Sequence, residues 1–293
     1  MDNHDVGAMV SGPQMLSIVR RALEEDLPWG DITTEALVPA EAQSSGRFIF
    51  KDDGVVCGLA VAAAVFRELD PSLEFRDRVP DGQRVAGGDV IAEVQGRTRP
   101  ILTGERTALN LLQRMSGIAT ETARYVAAVS GSGATIVDTR KTAPGLRVLD
   151  KYAVRCGGGS NHRFCLSDGV LVKDNHVAAL GERSGEALAS ALQAVRASMP
   201  HTTRLEIEVD RLDQIAFALA GGADIILLDN MDPEQLRQAV DLIAGRALTE
   251  ASGGVTLESV AAIARSGVDL ISVGALTHSV KAMDVGLDLV AAT

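Results

Sequence analysis

The sequence predicts an α/β protein in which an α+β domain is followed by an incomplete β/α barrel of about six strands, and three observations carry that expectation. From Ala134 onward the short apolar runs ATIVDTR, VLVKDNH, LEIEVD, DIILLDN, ALTEASGG and DLISVGA alternate with amphipathic stretches such as RLDQIAFALAGG and PEQLRQAVDLIAG. Apolar runs joined by helices read as parallel strands covered on both faces. Nearly every run ends in a polar or glycine residue, which suits a barrel because its mouth collects side chains from several strand ends. An open doubly wound sheet would instead gather its ligand residues behind a glycine fingerprint, and neither GxGxxG nor GxxxxGKS/T occurs.

Upstream of the barrel, a helix is expected around Gln14–Glu25, strands at Gly46–Phe50 and Val55–Leu59, and a helix over Ala60–Leu69, with VPDGQRVAGGD supplying turns. A long helical pattern over Glu105–Val129 follows, in which Leu109, Leu112, Met115 and Ile118 fall on one face.

Composition narrows the function. With 293 residues, 46% of them hydrophobic, the chain can bury a large domain beside a smaller one. A formal net charge of -11 argues against a nucleic-acid or anionic-membrane surface, since affinity for phosphate backbones comes from massed Lys and Arg. The opening MDNHDVGAMVSGPQ lacks a basic region followed by an apolar run, and no later stretch is apolar enough to span a bilayer, so the cytoplasm is expected. Against this acidic background, Asp138–His176 holds seven Lys or Arg, two His and the triplet Gly157–Gly159. Cations gathered locally in an acidic chain point to a pocket for a small polyanion.

Cys57, Cys156 and Cys165 are an odd set without an export signal, which predicts reduced thiols. Cys156, His162 and Cys165 lack the CxxC pair and fourth ligand of a zinc site, and Arg155 and Arg163 beside them would repel a cation.

Individual residues sharpen the pocket. Arg140 and Lys141 follow the run TIVDT, offering a planar fork for a carboxylate and a point charge for phosphate. His162 and Arg163 follow GGGSN, where glycines let backbone approach an anion. Lys173 ends the run LVK, where a charge in a buried strand costs several kcal/mol unless it meets a counter-ion or ligand. Glu208 and Asp229 end two further strands, and two carboxylates amid cations suit Mg2+, which completes its shell with water and phosphate oxygens. Glu206, alternating with Glu208, is the other candidate for the inward position. Ser252, Gly253, Gly254 and, one strand later, Ser272 and Gly274 stand where β/α barrels bind phosphate. A lysine ending a barrel strand, here Lys173, also fits a Schiff-base aldolase. A non-catalytic anion-binding protein is a third reading, which leaves Glu208 and Asp229 unexplained.

The segments EDLPWGDITT, GERTALNLLQRMSGIAT, DTRKTAPGLRVLDKYAVRCGGGSNHR, VLVKDNH, EVD, LLDN and ASGG, in this order over nearly the whole chain, resemble the quinolinate phosphoribosyltransferase family. The resemblance implies an N-terminal α/β sandwich domain over residues 1–112, completed by 276–293, and a barrel domain over 113–275. It implies transfer of phosphoribosyl from phosphoribosyl pyrophosphate (PRPP) to quinolinate with decarboxylation, in a homodimer with shared active sites. Arg106 in GERT then corresponds to an arginine lent to a partner's site, and Arg140, His162, Arg163 and Lys173 to the quinolinate pocket. Lys141 would be shared with the donor, Glu208 and Asp229 would form the metal and ribose site, and Ser252, Gly253 and Gly274 the phosphate cradle. A paralogue acting on another heterocycle would differ chiefly at Arg106, Arg140 and Arg163, all of which are present. The chain departs from the family in EASGG, where ESSGG is commoner, and His278 falls in a shared motif without an evident chemical role.

Overall fold

The computed structural model describes residues 12–179 and 185–291, so most of the opening segment weighed as a leader lies outside the described residues. Two compact units emerge: one takes residues up to Ala123, Thr142–Gly158 and Ala275 onward, the other Arg124–Lys141 and Gly159–Gly274. No helix among the described residues is long and apolar enough to cross a membrane.

The first unit opens with helices α1 (Pro13–Asp26) and α2 (Ile32–Leu37) and continues through β1 (Gln43–Phe50), β2 (Gly54–Val55), α3 (Leu59–Leu69), β3 (Glu74–Asp77), β4 (Arg84–Val85), β5 (Val90–Arg97) and the long helix α4 (Thr98–Ala128). Its sheet is antiparallel, ordered C-terminal strand Val285–Ala291, β1, β5, β3. Along β1, Ser44, Gly46, Phe48 and Phe50 are buried while the intervening residues are not, the period of a sheet covered on one face. Phe48 meets Phe66 of α3 and Phe75 of β3 at ring separations of 5.9 and 5.6 Å, which knits helix to sheet.

Two expectations change here. The strand over Val55–Leu59 shrinks to Gly54–Val55, because Gly58 enters the left-handed region at φ 111° and the Asp81 carboxylate accepts the amides of Gly58 and Leu59 at 2.9 and 3.1 Å, starting α3. Helix α4 begins at Thr98 rather than Glu105: Pro100 falls in its first turn, where no amide is needed, and Gly104 lets Leu69 and Phe66 approach.

Helix α5 (Arg147–Cys156) is held in this unit by a buried ion pair. Arg114 of α4 forks onto Asp150 through two bonds of 2.9 Å, and the same guanidinium donates to the Thr277 carbonyl at 3.1 Å. Asp150 also accepts the Ala143 amide at 3.1 Å.

The second unit is a six-stranded parallel sheet: β6 (Thr135–Val137), β7 (Val170–Val172), β8 (Leu205–Val209), β9 (Ile225–Asp229), β10 (Leu248–Ser252) and β11 (Leu270–Ser272). The ladder runs β7-β8-β9-β10-β11-β6, so the first strand of the unit pairs with the last. That order is a ring opened between β6 and β7, the incomplete barrel expected from the strand count. On the free edge of β6, Val137 bridges Ser160 in parallel. Burial is continuous along β8, β9 and β10, as strands covered on both faces require.

Helices α6 (Asp174–Ala179), α7 (Gly185–Ser198), α8 (Ile215–Ala220), α9 (Pro233–Ile243) and α10 (Leu257–Ala264) follow successive strands. Asp232 and Thr256 cap α9 and α10 in reciprocal capping boxes. The amino-terminal rim is stapled twice in the same manner: Asp224, ahead of β9, accepts the Leu205 amide at 2.7 Å, and Asp269, ahead of β11, accepts the Thr249 amide at 2.8 Å.

Removing Arg114 strands the Asp150 carboxylate without its cation. Arg114→Ala is expected to cost about 3–5 kcal/mol, read as a fall in the denaturant midpoint; a loss under about 1 kcal/mol would match an exposed pair instead.

Candidate active site

The barrel interior carries an acidic layer. Asp138 just past β6, Glu206 on β8 and Glu250 on β10 are 0%, 4% and 1% exposed. These elements alternate around the ring, as side chains filling one layer of a barrel do. His162 enters the layer from the loop after the Gly triplet, its Nε2 lying 3.1 Å from Glu206 Oε2 and 3.7 Å from Glu250 Oε1. Asp138 accepts the His162 amide at 2.8 Å and the Asn161 side-chain amide at 2.7 Å.

Burial is the first cause that lifts the Glu250 carboxyl, and the negative charge of Glu206 is the next; together they push it up to about 7 although His162 and the Ser272 hydroxyl oppose the rise. Ser272 is itself buried, donating to the Ala251 carbonyl at 3.3 Å, so its hydroxyl serves this layer.

Toward the carboxyl ends of the strands the charge becomes mixed. Arg140 and Arg163 lie close enough that burial and then the like charge of Arg140 pull the Arg163 guanidinium down, while Glu206 favours its charged form. Arg163 also donates to the Gly169 carbonyl at 3.0 Å. Arg140 is half-buried and Lys141 exposed, the alternation of neighbouring residues on an extended chain. Glu208 is half-buried, and its carboxyl is raised first by burial and then by Asp229, with Lys173 opposing. Glu206 and Glu208, two residues apart on β8, therefore share one face: Glu206 lies deep and Glu208 toward the strand end. Lys173 is exposed rather than embedded in its strand, because the chain has already turned; its carbonyl accepts the His176 amide at 2.9 Å at the start of α6.

At the end of β10, Gly253 and Gly254 adopt φ of 94° and 57°. A Cβ on Gly253 would lie 2.9 Å from the Asn230 backbone nitrogen, so only glycine fits where the loop after β10 meets the loop after β9. Turn backbone at such a strand end can present its amides to an anion.

Arg106 lies on α4 in the first unit, exposed. His278, also in that unit, pairs through Nδ1 with the Ser279 hydroxyl at 2.7 Å. Cys156 groups with Cys57 and Asp81 rather than with His162 and Cys165, and all three cysteines are free thiols. Sequence reasoning did not find Asp138 or Glu250; the buried carboxylates in IVDT and LTEAS were the available signal, hidden because strand ends and interiors look alike in a run of five.

A half-open ring of parallel strands with cations, paired carboxylates and a glycine loop at the strand ends defines a β/α-barrel protein with a charged mouth. Residues 31–116 match the model of the quinolinate phosphoribosyl transferase N-terminal domain, and residues 118–288 match that of its C-terminal domain. A nicotinate-nucleotide pyrophosphorylase (carboxylating) of Mycobacterium leprae is 50% identical over 277 residues, covering 92% of this chain and 95% of the relative. NadC from Streptococcus pyogenes superposes with a TM-score of 0.90 at 41% identity, over 96% of this chain and 98% of that one. The nicotinate-nucleotide pyrophosphorylase from Francisella tularensis gives 0.88 at 37% identity, over 96% and 99%. The chain belongs to the quinolinate phosphoribosyltransferase family.

The raised Glu250 carboxyl sets a pH dependence of stability. Unfolded, the group loses its proton near 4.5; folded, near 7, so between these values the folded state alone holds the proton and stability falls as pH rises. The slope is about 1.4 kcal/mol per pH unit. Glu250→Gln removes that titration, and its denaturant midpoint should gain on the native protein between about pH 5 and about pH 8. A constant difference across the window would show that Glu250 ionises normally.

Proposed function

We propose that this chain joins the ring nitrogen of quinolinate to C1 of PRPP, releasing pyrophosphate and then CO2 to leave nicotinate mononucleotide. The observation that carries the reading is the grouping of two arginines, Arg140 and Arg163, beside one another in a barrel whose other strand ends carry Lys173, Glu208 and Asp229. Two guanidiniums held together repel unless a ligand brings two negative charges, and quinolinate is a flat dicarboxylate.

In this reading Arg140, Arg163 and Lys173 grip the carboxylates and aim the ring nitrogen at C1, with His162 bordering the pocket. Both ring nitrogens of His162 are engaged within the protein, Nδ1 by the Arg163 amide at 2.6 Å and Nε2 by Glu206, so direct contact with the ligand would need the ring to swing out. Lys141 and the backbone of Ser252, Gly253, Gly254 and Gly274, with Ser272 behind it, take the phosphates. As the N–C1 bond forms and the C1–O bond breaks, positive charge builds on the ribose, and the Glu208 carboxylate can stabilise it. Positioning supplies most of the acceleration, because neither step demands a strong base. The new pyridinium then accepts the electron pair left as CO2 departs, and the ring carbon takes up a proton.

Asp229 raises the cost of ionising Glu208, and oxygen donors of that kind fit Mg2+. When bound there, Mg2+ would neutralise the departing pyrophosphate. The exposure of Arg106 fits a homodimer in which it completes a second copy's site, and the free thiols fit a reducing cytoplasm.

Incubation with quinolinate, PRPP and Mg2+ should yield nucleotide and donor-dependent CO2, both abolished by chelation. Arg140→Ala and Lys173→Ala should lower turnover by about 100-fold or more with unchanged melting. Near-native turnover in both variants would remove the pocket assignment. Nicotinate, with one carboxylate, should be a poor substrate because it leaves a buried cation unmatched.

A further inference from the structure

We infer that Glu206 is a positioning residue for the acid pocket: by holding the His162 imidazole it fixes the Arg163 backbone and keeps that guanidinium beside Arg140. This rests on the function proposed above and extends it to a residue outside the expected set.

The loop behind the Gly triplet has little stiffness of its own, since glycine backbone ranges widely. Its orientation is imposed instead by side chains rising from inside the barrel. Asn161 and His162 are tied to Asp138 at 2.7 and 2.8 Å, and His162 reaches Glu206 at 3.1 Å. The Arg163 amide donates to His162 Nδ1 at 2.6 Å, which leaves the ring proton on Nε2, aimed at Glu206. Glu250, at 3.7 Å, is too far to replace it.

Structure alone does not explain a carboxylate in that place. Glu206 Oε1 is buried without a hydrogen-bond partner, a costly arrangement that an apolar side chain would avoid. What only a carboxylate supplies is negative charge beside two cations: Glu206 favours the charged form of Arg163, whereas Arg140 opposes it. One group thus orients the imidazole and offsets the repulsion between the guanidiniums until a dianion arrives.

The test is a comparison of both substrates' KM values, with a mutant cycle. Glu206→Ala should raise KM for quinolinate about tenfold or more and leave KM for PRPP within about twofold. Glu206→Gln, which keeps an acceptor for Nε2 but not the charge, should fall between the native protein and Glu206→Ala. The double variant with His162→Ala should be less impaired than the two single effects combined, because part of the Glu206 effect passes through the ring. If Glu206→Ala does not fold, Glu206→Leu fills the volume without an acceptor and serves in its place. Equal rises in both KM values, or additive effects in the cycle, would overturn the inference. If the native protein makes no nucleotide, the proposed function fails, and nitrogen NMR still decides this point: a single Nε2–H tautomer for His162 that becomes mixed in Glu206→Ala supports it, and an unchanged tautomer defeats it.

Discussion

The constraint on which the barrel turns is uncompensated charge in its interior. Asp138, Glu206 and Glu250 are buried together, and three carboxylates in one layer cannot all ionise without cations or protons nearby. Two remedies operate. Glu250 keeps its proton toward neutral pH, and the Arg163 guanidinium and the Nε2 side of the His162 ring stand against Glu206. The cationic pocket is therefore demanded by the fold as well as by any ligand. Losing Arg163 would leave the Glu206 charge less compensated, and losing the layer would leave the arginines repelling each other.

Glu206 is where the two halves of the mouth meet. It favours the charge on Arg163 and, as the smallest of several influences there, disfavours the charge on Glu208, so its chief coupling is to the arginine side of the mouth. A barrel makes this possible because i and i+2 on one strand face the same interior, one deep and one near the rim. The same geometry resolves the choice between Glu206 and Glu208 into two depths on one face. The amino-terminal rim, stapled by Asp224 and Asp269, anchors the strands at the opposite end, so the charged groups sit on a fixed frame.

Much of this was legible in the sequence, for a physical reason: parallel strands buried on both faces leave continuous apolar runs, and their ends are polar because they reach the mouth. All six strands follow from that pattern, and Asp229 and Ser252 end theirs as expected, while Arg140, Lys141, Lys173 and Gly274 fall just past their strands and Glu208 just inside its own. What escaped was whatever depended on distant partners. Thr142–Gly158 joins the first unit through Asp150 and Arg114, a pairing across 36 positions that no local periodicity announces. Helix α4 takes in Pro100 and Gly104 ahead of the expected start at Glu105, because the first turn needs no amide at Pro100 and Gly104 lets Phe66 approach closely. Lys173 read as a buried charge because its strand was taken one residue too far. Ser272 ends its strand like the other mouth residues, yet its hydroxyl turns inward to Ala251, and only the pleat at that position decides the matter.

The two kinds of anion recognition rest on different physics. Under the proposed function, carboxylates would be met by side chains whose placement depends on the charged layer, through Glu206, His162 and Arg163. Phosphates would be met by backbone at Gly253 and Gly254, whose shape depends on left-handed dihedrals and on the tight approach to Asn230. The first responds to changes of charge and the second to changes of volume, so they can be disturbed one at a time. A charge-neutralising change in the layer should weaken selection among pyridine acids while phosphate binding persists, and a methyl group at Gly253 should do the reverse. Under the proposed function, that separation would let one barrel mouth hold a rigid aromatic acid and a flexible sugar phosphate side by side, each held by interactions the other does not use.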